Sequence, residues 1–258
     1  MEFARQLAGR AQTLVLVARR RERLEKLRDE LEGCPPWRPG EVTGRDSARP
    51  STRTLIYTAD LSRPEEINAL LEWVAHEKIT IDLLINNAGL GDHGPFATSE
   101  PTRVDDIMQV NVVALTLLTR RLLPPMIAAK RGAILNVSSS ASFLPLPDLA
   151  VYAASKAYVT SFSEALRMEL HGTGVTVSAL CPGPVQTEFN TIAKRPDGPK
   201  KIGPSFTYVS VEEVVRVGLK AVENDRPLVI PGWLMKVAML LVRLTPMPVL
   251  RLASRVSK

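Results

Sequence analysis

The sequence predicts an α/β protein with a three-layer, doubly wound parallel sheet, folded as one domain over residues 1–258. Two observations support this fold class. Short apolar segments alternate with helical segments along the chain, and polar residues of unusual type follow directly after several of the apolar segments. Strands separated by helices require right-handed crossovers, which place helices on both faces of a parallel sheet. With 45% hydrophobic residues, the chain can bury one such core.

Six segments have the apolar, partly β-branched composition of strands buried on both faces. They lie at 13–17, 54–58, 81–85, 133–137, 175–180 and 228–230. Five segments between them have helical periodicity. These lie at 20–32, 62–78, 102–130, 149–171 and 211–224. In the first helix Leu24, Leu27 and Leu31 share one side, and Ser62 with Glu65 predicts a capping box at the start of the second.

Three segments are irregular or stand apart from this alternation. Residues 33–53 are rich in Pro, Gly, Arg and Ser and predict a flexible loop, and 182–208 are interrupted by Pro and Gly. Residues 233–258 form a basic amphipathic tail. Its apolar and basic positions are Leu234, Val237, Leu241, Leu244 and Leu250, with Lys236, Arg243, Arg251 and Arg255. We expect this tail to cap a pocket or contact another subunit rather than to lie on a membrane surface.

Composition excludes several function classes. The net charge is +6, but the sequence has no stripe of basic residues interleaved with aromatic residues, which nucleic-acid binding needs. Neither a signal peptide nor a run of about 18 uncharged residues is present. Cys34 and Cys181 form no disulfide framework, which favours a reducing, cytoplasmic location. The three His residues show no ligand spacing, so we expect no catalytic metal.

Tyr152 and Lys156 are the first candidates for chemistry. Four residues apart in a predicted helix, they share a face one turn apart, and an ammonium beside a phenol favours the phenolate and lowers its pKa. Such a tyrosine can serve as a general acid or base. The pair alone is a weak signal, because an ordinary exposed helix contact has the same spacing. Ser139 strengthens the signal of this pair. It lies thirteen residues before Tyr152, directly after a predicted strand, so its side chain can enter the same crevice.

Three further signals accompany this pair. Asn86-Asn87-Ala88-Gly89 ends one predicted strand, Asn111 lies inside an apolar helix, and Cys181-Pro-Gly-Pro-Val-Gln-Thr187 follows another strand. In this order and spacing, the sequence resembles the short-chain dehydrogenase/reductase family, in its single-domain branch with a Rossmann-like fold. The resemblance runs from residue 1 to about residue 190 and continues more loosely to the end.

The resemblance implies a role for each matching residue. Tyr152 would be the proton donor or acceptor, and Lys156 would lower its pKa and bind the nicotinamide ribose. Ser139 would hold the substrate oxygen, and Asn111 would hold a water in a proton relay. The cofactor-lining positions would be Asp60, Leu61, Asn87, Ala88, Gly89, Pro182, Gly183, Val185 and Thr187. For Asn86 we favour a structural role.

The end of the second family strand decides which nicotinamide cofactor is expected. NAD enzymes usually place an acidic residue there, which binds the ribose hydroxyls and repels a 2′-phosphate. Here Ala18 occupies that position and is followed by Arg19 and Arg20. The sequence therefore predicts NADP(H) in preference to NAD(H), although both arginines could equally begin a solvated helix.

The start of the chain departs from the family. The family opens with a buried strand and a TGxxxGxG turn that receives the pyrophosphate, and residues 1–10 resemble the helix after that turn. The missing strand would lie between the strands at 13–17 and 81–85, leaving their edges unpaired unless they close on each other. We therefore expect an unstable protein, a rearranged sheet or, preferably, a sequence that lacks its true first residues.

The resemblance also implies a substrate and an assembly. Residues 188–210 would form a substrate lid. Phe189, Ile192, Phe206 and Tyr208 favour a lipophilic carbonyl or alcohol as the substrate, although each of them could equally belong to ordinary packing. The helices at 102–130 and 149–171 would join a homodimer or homotetramer. Three alternatives stay open at this point: an extended family member acting on nucleotide sugars, a non-catalytic binding protein with impaired cofactor binding, and a membrane-surface adaptor.

Overall fold

The structure is a computed structural model that describes residues 1–33, 52–185, 187–198 and 207–256. The predicted flexible loop at 33–53 lies outside the described residues except for its ends, and so do residues 199–206 of the predicted lid. The chain forms two compact units, Met1–Ile79 and Thr80–Lys258.

In its described residues, 1–33 and 52–79, the first unit has a two-stranded parallel sheet and three helices. In chain order its elements are α1 (Glu2–Leu7), β1 (Thr13–Ala18), α2 (Arg21–Gly33), β2 (Arg53–Thr58) and α3 (Pro64–His76). Thr13 lies opposite Arg53 and Ala18 opposite Thr58. Buried Ala4, Leu14 and Leu27 form its core cluster, so the apolar faces of α1, β1 and α2 meet as their periodicity predicts.

The predicted capping box at the start of α3 is wrong. The N-cap residue is Arg63, with no side-chain cap, and Pro64 begins the helix. The hydroxyl of Ser62 instead donates to Asp60 Oδ1 at 2.8 Å, and Glu66 accepts from the backbone N–H of Asp60 at 2.6 Å. Proline at the first helical position already has the required φ and needs no N–H partner, so it moves the helix start past Ser62.

The second unit contains a four-stranded parallel sheet in the order β3-β4-β5-β6. Its strands are β3 (Leu83–Asn86), β4 (Gly132–Val137), β5 (Val175–Leu180) and β6 (Leu228–Val229). Its helices are α4 (Pro101–Met108), α5 (Leu115–Ala128), α6 (Ala150–Glu169), α7 (Glu188–Ala193), α8 (Val211–Glu223), α9 (Trp233–Leu244) and α10 (Met247–Val256). Strands β4 and β5 are almost fully buried at their centres, as continuous apolar runs between helices should be.

Parallel strands connected through helices confirm the Rossmann-like α/β fold class. The sheet is not continuous among the described residues, because β1 pairs only with β2 and β3 only with β4. An unpaired strand edge keeps backbone donors and acceptors available for a further strand.

The helical run from α4 to α5 is interrupted by a π-helical segment at Gln109–Ala114. By length and hydropathy alone, the span Pro101–Ala128 is able to cross a membrane. A third of its most apolar window is buried in the fold, and core helices of soluble proteins pass the same test. The π-helical segment contains Asn111 and positions it for the contacts described below.

Candidate active site

The candidate site of the second unit lies at the carboxyl ends of β3, β4 and β5. In a parallel sheet these ends share one edge, so the segments after Asn86, Val137 and Leu180 come together there. Helix α6 follows β4 and carries Tyr152 and Lys156 on its first two turns. The fold thus brings the predicted catalytic side chains to one place.

Lys156 is almost completely buried. Only 4% of the residue is exposed, and its Nζ donates to the backbone carbonyl of Val137 at 2.8 Å. Nζ also lies 5.9 Å from the centre of the Tyr152 ring. Burial disfavours the ammonium form and lowers the pKa of Lys156 from 10.5 to about 8.

Tyr152 keeps part of its surface exposed, but protein atoms surround its hydroxyl. Burial raises the pKa of Tyr152 above its usual 10, and the hydrogen bond with Ser139 opposes this only partly. The expectation that Lys156 lowers this pKa is wrong for the described arrangement, because the ammonium is directed at the Val137 carbonyl. The phenol is therefore neutral at physiological pH and able to donate a proton.

Ser139 and Ser138 follow β4 and have different tasks. Ser139 caps the 3₁₀ helix Ser140–Phe143, where its Oγ accepts from the N–H of Ala141 at 3.1 Å. That acceptor role leaves its hydroxyl hydrogen for another oxygen. Ser138 points the other way and bonds the Lys156 carbonyl at 2.9 Å, which ties α6 to the end of β4.

Asn111 holds the loop after β3. Its Oδ1 accepts from the Leu90 N–H at 2.8 Å, and its Nδ2 donates to the Leu90 carbonyl and to Ser155 Oγ, both at 2.9 Å. Both amide hydrogens are thus used by protein partners. The role of Ser155 was not predicted, since no local pattern links it to a residue 44 positions away.

The segment Asn86–Gly89 combines a structural residue with an open surface. Asn86 is buried and donates to Thr119 at 3.0 Å and Asn136 at 2.8 Å, which confirms its structural role. Asn87 and Ala88 are exposed. A Cβ on Gly89 would lie 3.4 Å from Lys156 Nζ and 3.5 Å from Asn111 Oδ1.

The loop after β5 closes another side of the site. The Pro182 carbonyl accepts from the N–H of Ser140 at 2.8 Å, which joins this loop to the Ser139 segment. A Cβ on Gly183 would come within 2.6 Å of Met235 in α9. The Val185 carbonyl accepts from Asn190 at 2.7 Å, and exposed Thr187 precedes α7 as its N-cap residue.

Helix α7, in the predicted lid, packs over Tyr152. The rings of Phe189 and Tyr152 lie 5.3 Å apart at 47°, and a Cβ on Gly91 would approach Phe189 to 2.6 Å. Phe189 therefore fills the space that the absent side chain of Gly91 leaves. Ile192 is more than half exposed at 56%, and Phe206 lies outside the described residues.

A buried ion pair, not predicted from the sequence, attaches the end of α7 to the loop after β3. Arg195 Nη1 lies 3.3 Å from Asp92 Oδ2, with side-chain exposures of only 16% and 9%. Ser99 donates to the same carboxylate at 2.6 Å. Backbone bonds reinforce this, since the N–H of His93 donates to the Ala193 carbonyl at 2.8 Å. More than ninety positions separate the two segments, so no sequence window could contain this contact.

The first unit holds the other predicted cofactor residues. Arg19 Nη1 and Asp60 Oδ2 are 3.9 Å apart at the ends of β1 and β2. Burial alone would raise the pKa of Asp60, but hydrogen bonds from Ser62 and the charge of Arg19 hold it below its usual range. Arg20 is exposed, and Leu61 is partly buried. Within the described ranges, no three His, Cys, Asp or Glu side chains gather as a metal site.

This fold and site define a class of protein. A family profile described as "short chain dehydrogenase" matches residues 1–197, and the chain belongs to that family of oxidoreductases. The very-long-chain 3-oxoacyl-CoA reductase of Anas platyrhynchos is 29% identical over 245 residues, covering 91% of this chain and 70% of that protein. The ketoacyl reductase HetN of Nostoc is 37% identical over 165 residues, covering 64% of this chain and 56% of that protein.

Solved structures agree with the assignment. A short-chain dehydrogenase from Sphingobium yanoikuyae in complex with NADPH superposes with a TM-score of 0.75 at 28% identity, covering 90% of this chain and 83% of that one.

The human inactive hydroxysteroid dehydrogenase-like protein 1 is also similar in sequence, at 32% identity over 190 residues covering 72% of this chain and 52% of that protein. The chain thus spans between about half and 70% of the curated relatives named here.

Proposed function

We propose that this chain transfers a hydride between NADP(H) and a carbonyl or secondary alcohol, with Tyr152 as the general acid or base. One observation carries the proposal. Within the second unit, the Tyr152 phenol is hydrogen-bonded with Ser139, and the buried Lys156 Nζ lies 5.9 Å from the centre of the Tyr152 ring and close to Gly89. A neutral acid, a hydrogen-bond donor and a titratable amine at one strand edge form the set that carbonyl reduction requires.

The protein groups have distinct tasks in this reaction. The raised pKa keeps Tyr152 protonated, so it can donate to the oxygen of a carbonyl as negative charge develops there. Ser139 can donate a second hydrogen bond to that oxygen, since Ala141 already serves its acceptor site. Lys156, with a pKa of about 8, is mostly protonated at pH 7 and can restore the proton that Tyr152 loses. Bound NADPH supplies the hydride.

The residues present fit a nicotinamide cofactor. Exposed Asn87 and Ala88 leave the end of β3 open, and the absence of a side chain at Gly89 allows close approach to Lys156. We assign Thr187, Val185 and the loop after β5 to the nicotinamide end. A relay through Asn111 would have to use its backbone carbonyl, because both side-chain amide hydrogens are engaged.

The preference for NADP(H) rests on the end of β1. Ala18 offers no carboxylate to repel a 2′-phosphate, and Arg19 lies beside it with 56% of its side chain exposed. The solved complexes of two relatives, the Sphingobium enzyme and a closed serine dehydrogenase, hold NADPH and NADP+. Titration of the chain with NADPH and NADH should show tighter binding of NADPH, and tighter NADH binding would refute the preference.

For the substrate we propose a lipophilic carbonyl compound. Phe189 and Ile192 give α7 an apolar surface beside Tyr152, and two relatives are named as reductases of oxoacyl or ketoacyl compounds.

We further propose a cytoplasmic homodimer or homotetramer. Exposed Leu117 and Ile127 on α5 provide an apolar surface for such an assembly. Light scattering of the purified chain would measure the assembly, and cell fractionation its location.

The decisive experiment replaces one hydroxyl. Tyr152→Phe should reduce NADPH-dependent turnover of a panel of aliphatic ketones by about 10²–10⁴-fold while NADPH affinity changes little. Tyr158→Phe is the matched control. Tyr158 is on the same helix but pairs with Thr116 and Phe162, so the control should keep full activity.

Retained turnover in Tyr152→Phe would remove the proposed acid. A chain that neither binds NADPH nor turns over any ketone would instead support the non-catalytic alternative, in line with the relative named as inactive.

A further inference from the structure

The outer face of α9 is an apolar surface that the described chain leaves uncovered. Its large hydrophobic residues are Trp233, Leu234, Val237, Leu240, Leu241 and Leu244. Trp233 and Leu244, at the two ends of the helix, are 74% and 73% exposed. At 100° per residue, all six fall within about a third of the helix circumference. They form one continuous stripe, which we call the α9 stripe.

The opposite face of α9 already has its partner. Met235 and Met239 are buried, with exposures of 5% and 8%. Met235 packs against Gly183, and Arg243 lies 5.6 Å from the ring of Phe143. Core packing therefore accounts for the inner face and leaves the α9 stripe unexplained. Contiguous exposed apolar surface of this kind indicates an interaction site.

The charge distribution identifies the kind of partner. Lys and Arg exceed Asp and Glu by six in the whole chain, 33 against 27. Six of the 33 basic residues follow Asp225 and none of the 27 acidic residues does, so the rest of the chain is balanced. Lys236 and Arg243, seven residues apart, lie along one flank of the α9 stripe, between the stripe and the buried face where Arg243 contacts Phe143. Along the sequence, the excess positive charge of the protein thus falls in the segment after Asp225, which contains α9.

We propose that the α9 stripe docks this protein on an anionic lipid surface. An apolar helix face with a basic flank and a tryptophan at its end is suited to the boundary between lipid headgroups and acyl chains. The helix lies along the surface rather than across it, because twelve residues reach only about 18 Å and a bilayer core is about 30 Å thick.

A second copy of the chain fits the α9 stripe less well. A two-fold pairing through this stripe would bring basic segments without acidic residues close to each other, and like charges repel. A lipid surface with negative headgroups complements the same charges, and each cation near it strengthens binding by about fivefold.

Vesicle co-sedimentation of the full chain tests this proposal without any activity measurement. We expect binding to vesicles of phosphatidylcholine with phosphatidylglycerol, at least tenfold weaker binding to phosphatidylcholine alone, and a loss of affinity as salt is raised. Leu240→Glu should weaken binding by more than tenfold, because it removes apolar surface and adds a negative charge. Lys236→Gln should weaken it by about fivefold.

The control is Met168→Glu on α6. Met168 is 74% exposed, as Trp233 is, but lies on another helix in a segment of mixed charge, so vesicle binding should stay within twofold of the unchanged protein. Equal binding to neutral and anionic vesicles, or no binding to either, would overturn the proposal. The proposal would also be overturned if the unchanged protein did not bind vesicles and light scattering showed that it forms an oligomer which Leu240→Glu dissociates.

Discussion

Replacing Lys156 by Met should make the stability of the protein less dependent on pH. In the fold, burial lowers the pKa of Lys156 from 10.5 to about 8, so below pH 8 the folded protein holds an ammonium in a site that disfavours charge. As the pH rises from 8 to 10.5, the folded state loses this proton before the unfolded state does. The destabilisation by Lys156 is therefore complete below pH 8 and disappears near pH 10.5.

The size of the effect follows from the two pKa values. Between pH 7 and pH 10, the free energy of unfolding of the unchanged protein should rise relative to Lys156→Met by about 2.5 kcal/mol. The variant also leaves the Val137 carbonyl without its donor, at a cost of about 1–3 kcal/mol. That cost does not vary with pH, so the change in the difference between the two proteins isolates the titration of Lys156.

Guanidinium unfolding of both proteins at unit intervals from pH 7 to pH 10 measures this difference. The control is Lys220→Met, which removes a lysine from an exposed position on α8, so a pH dependence that both variants share would not come from burial of Lys156. If the Lys156→Met difference varies by less than about 0.5 kcal/mol over this range, then burial does not lower the pKa of Lys156 as argued.

Two further predictions concern the attachment of α7. In Gly91→Ala the new methyl would lie 2.6 Å from Phe189, against about 3.5–4.0 Å for a normal carbon contact, so the Phe189 ring or α7 must move by about 1 Å. We expect KM to rise about tenfold in this variant, with less change in kcat, and Phe189→Leu in the same chain to restore KM. Unchanged steady-state kinetics would contradict the packing of Phe189 against Gly91. Asp92→Asn should lower the free energy of unfolding by about 1–3 kcal/mol, because Arg195 loses a buried charge partner. Asp225→Asn, at a more exposed ion pair, should cost less than about 1 kcal/mol in denaturant unfolding, and equal losses in the two variants would count against the buried pair.

Local patterns predicted the strands well and the helix details less well. The segments at 13–17, 133–137 and 175–180 agree with β1, β4 and β5 to within one residue, because buried parallel strands appear as uninterrupted apolar runs. The start of α3 was placed too early, since Pro64 outweighed a serine cap. The π-helical segment at Gln109–Ala114 could not be predicted, because its backbone pattern depends on contacts of Asn111 far along the chain.

By itself, the sequence determined the class of the protein and the residues of its candidate centre. Helical spacing places Tyr152 and Lys156 on one face, and the alternation of strands and helices brings Ser139 to the same edge, since both depend on local geometry. Only the tertiary structure decided the direction of the Tyr152 pKa shift, the ion pair of Asp92 with Arg195, and the outward orientation of an apolar face on α9. Desolvation, long-range pairing and exposure depend on what lies nearby in space, which local sequence spacing does not contain.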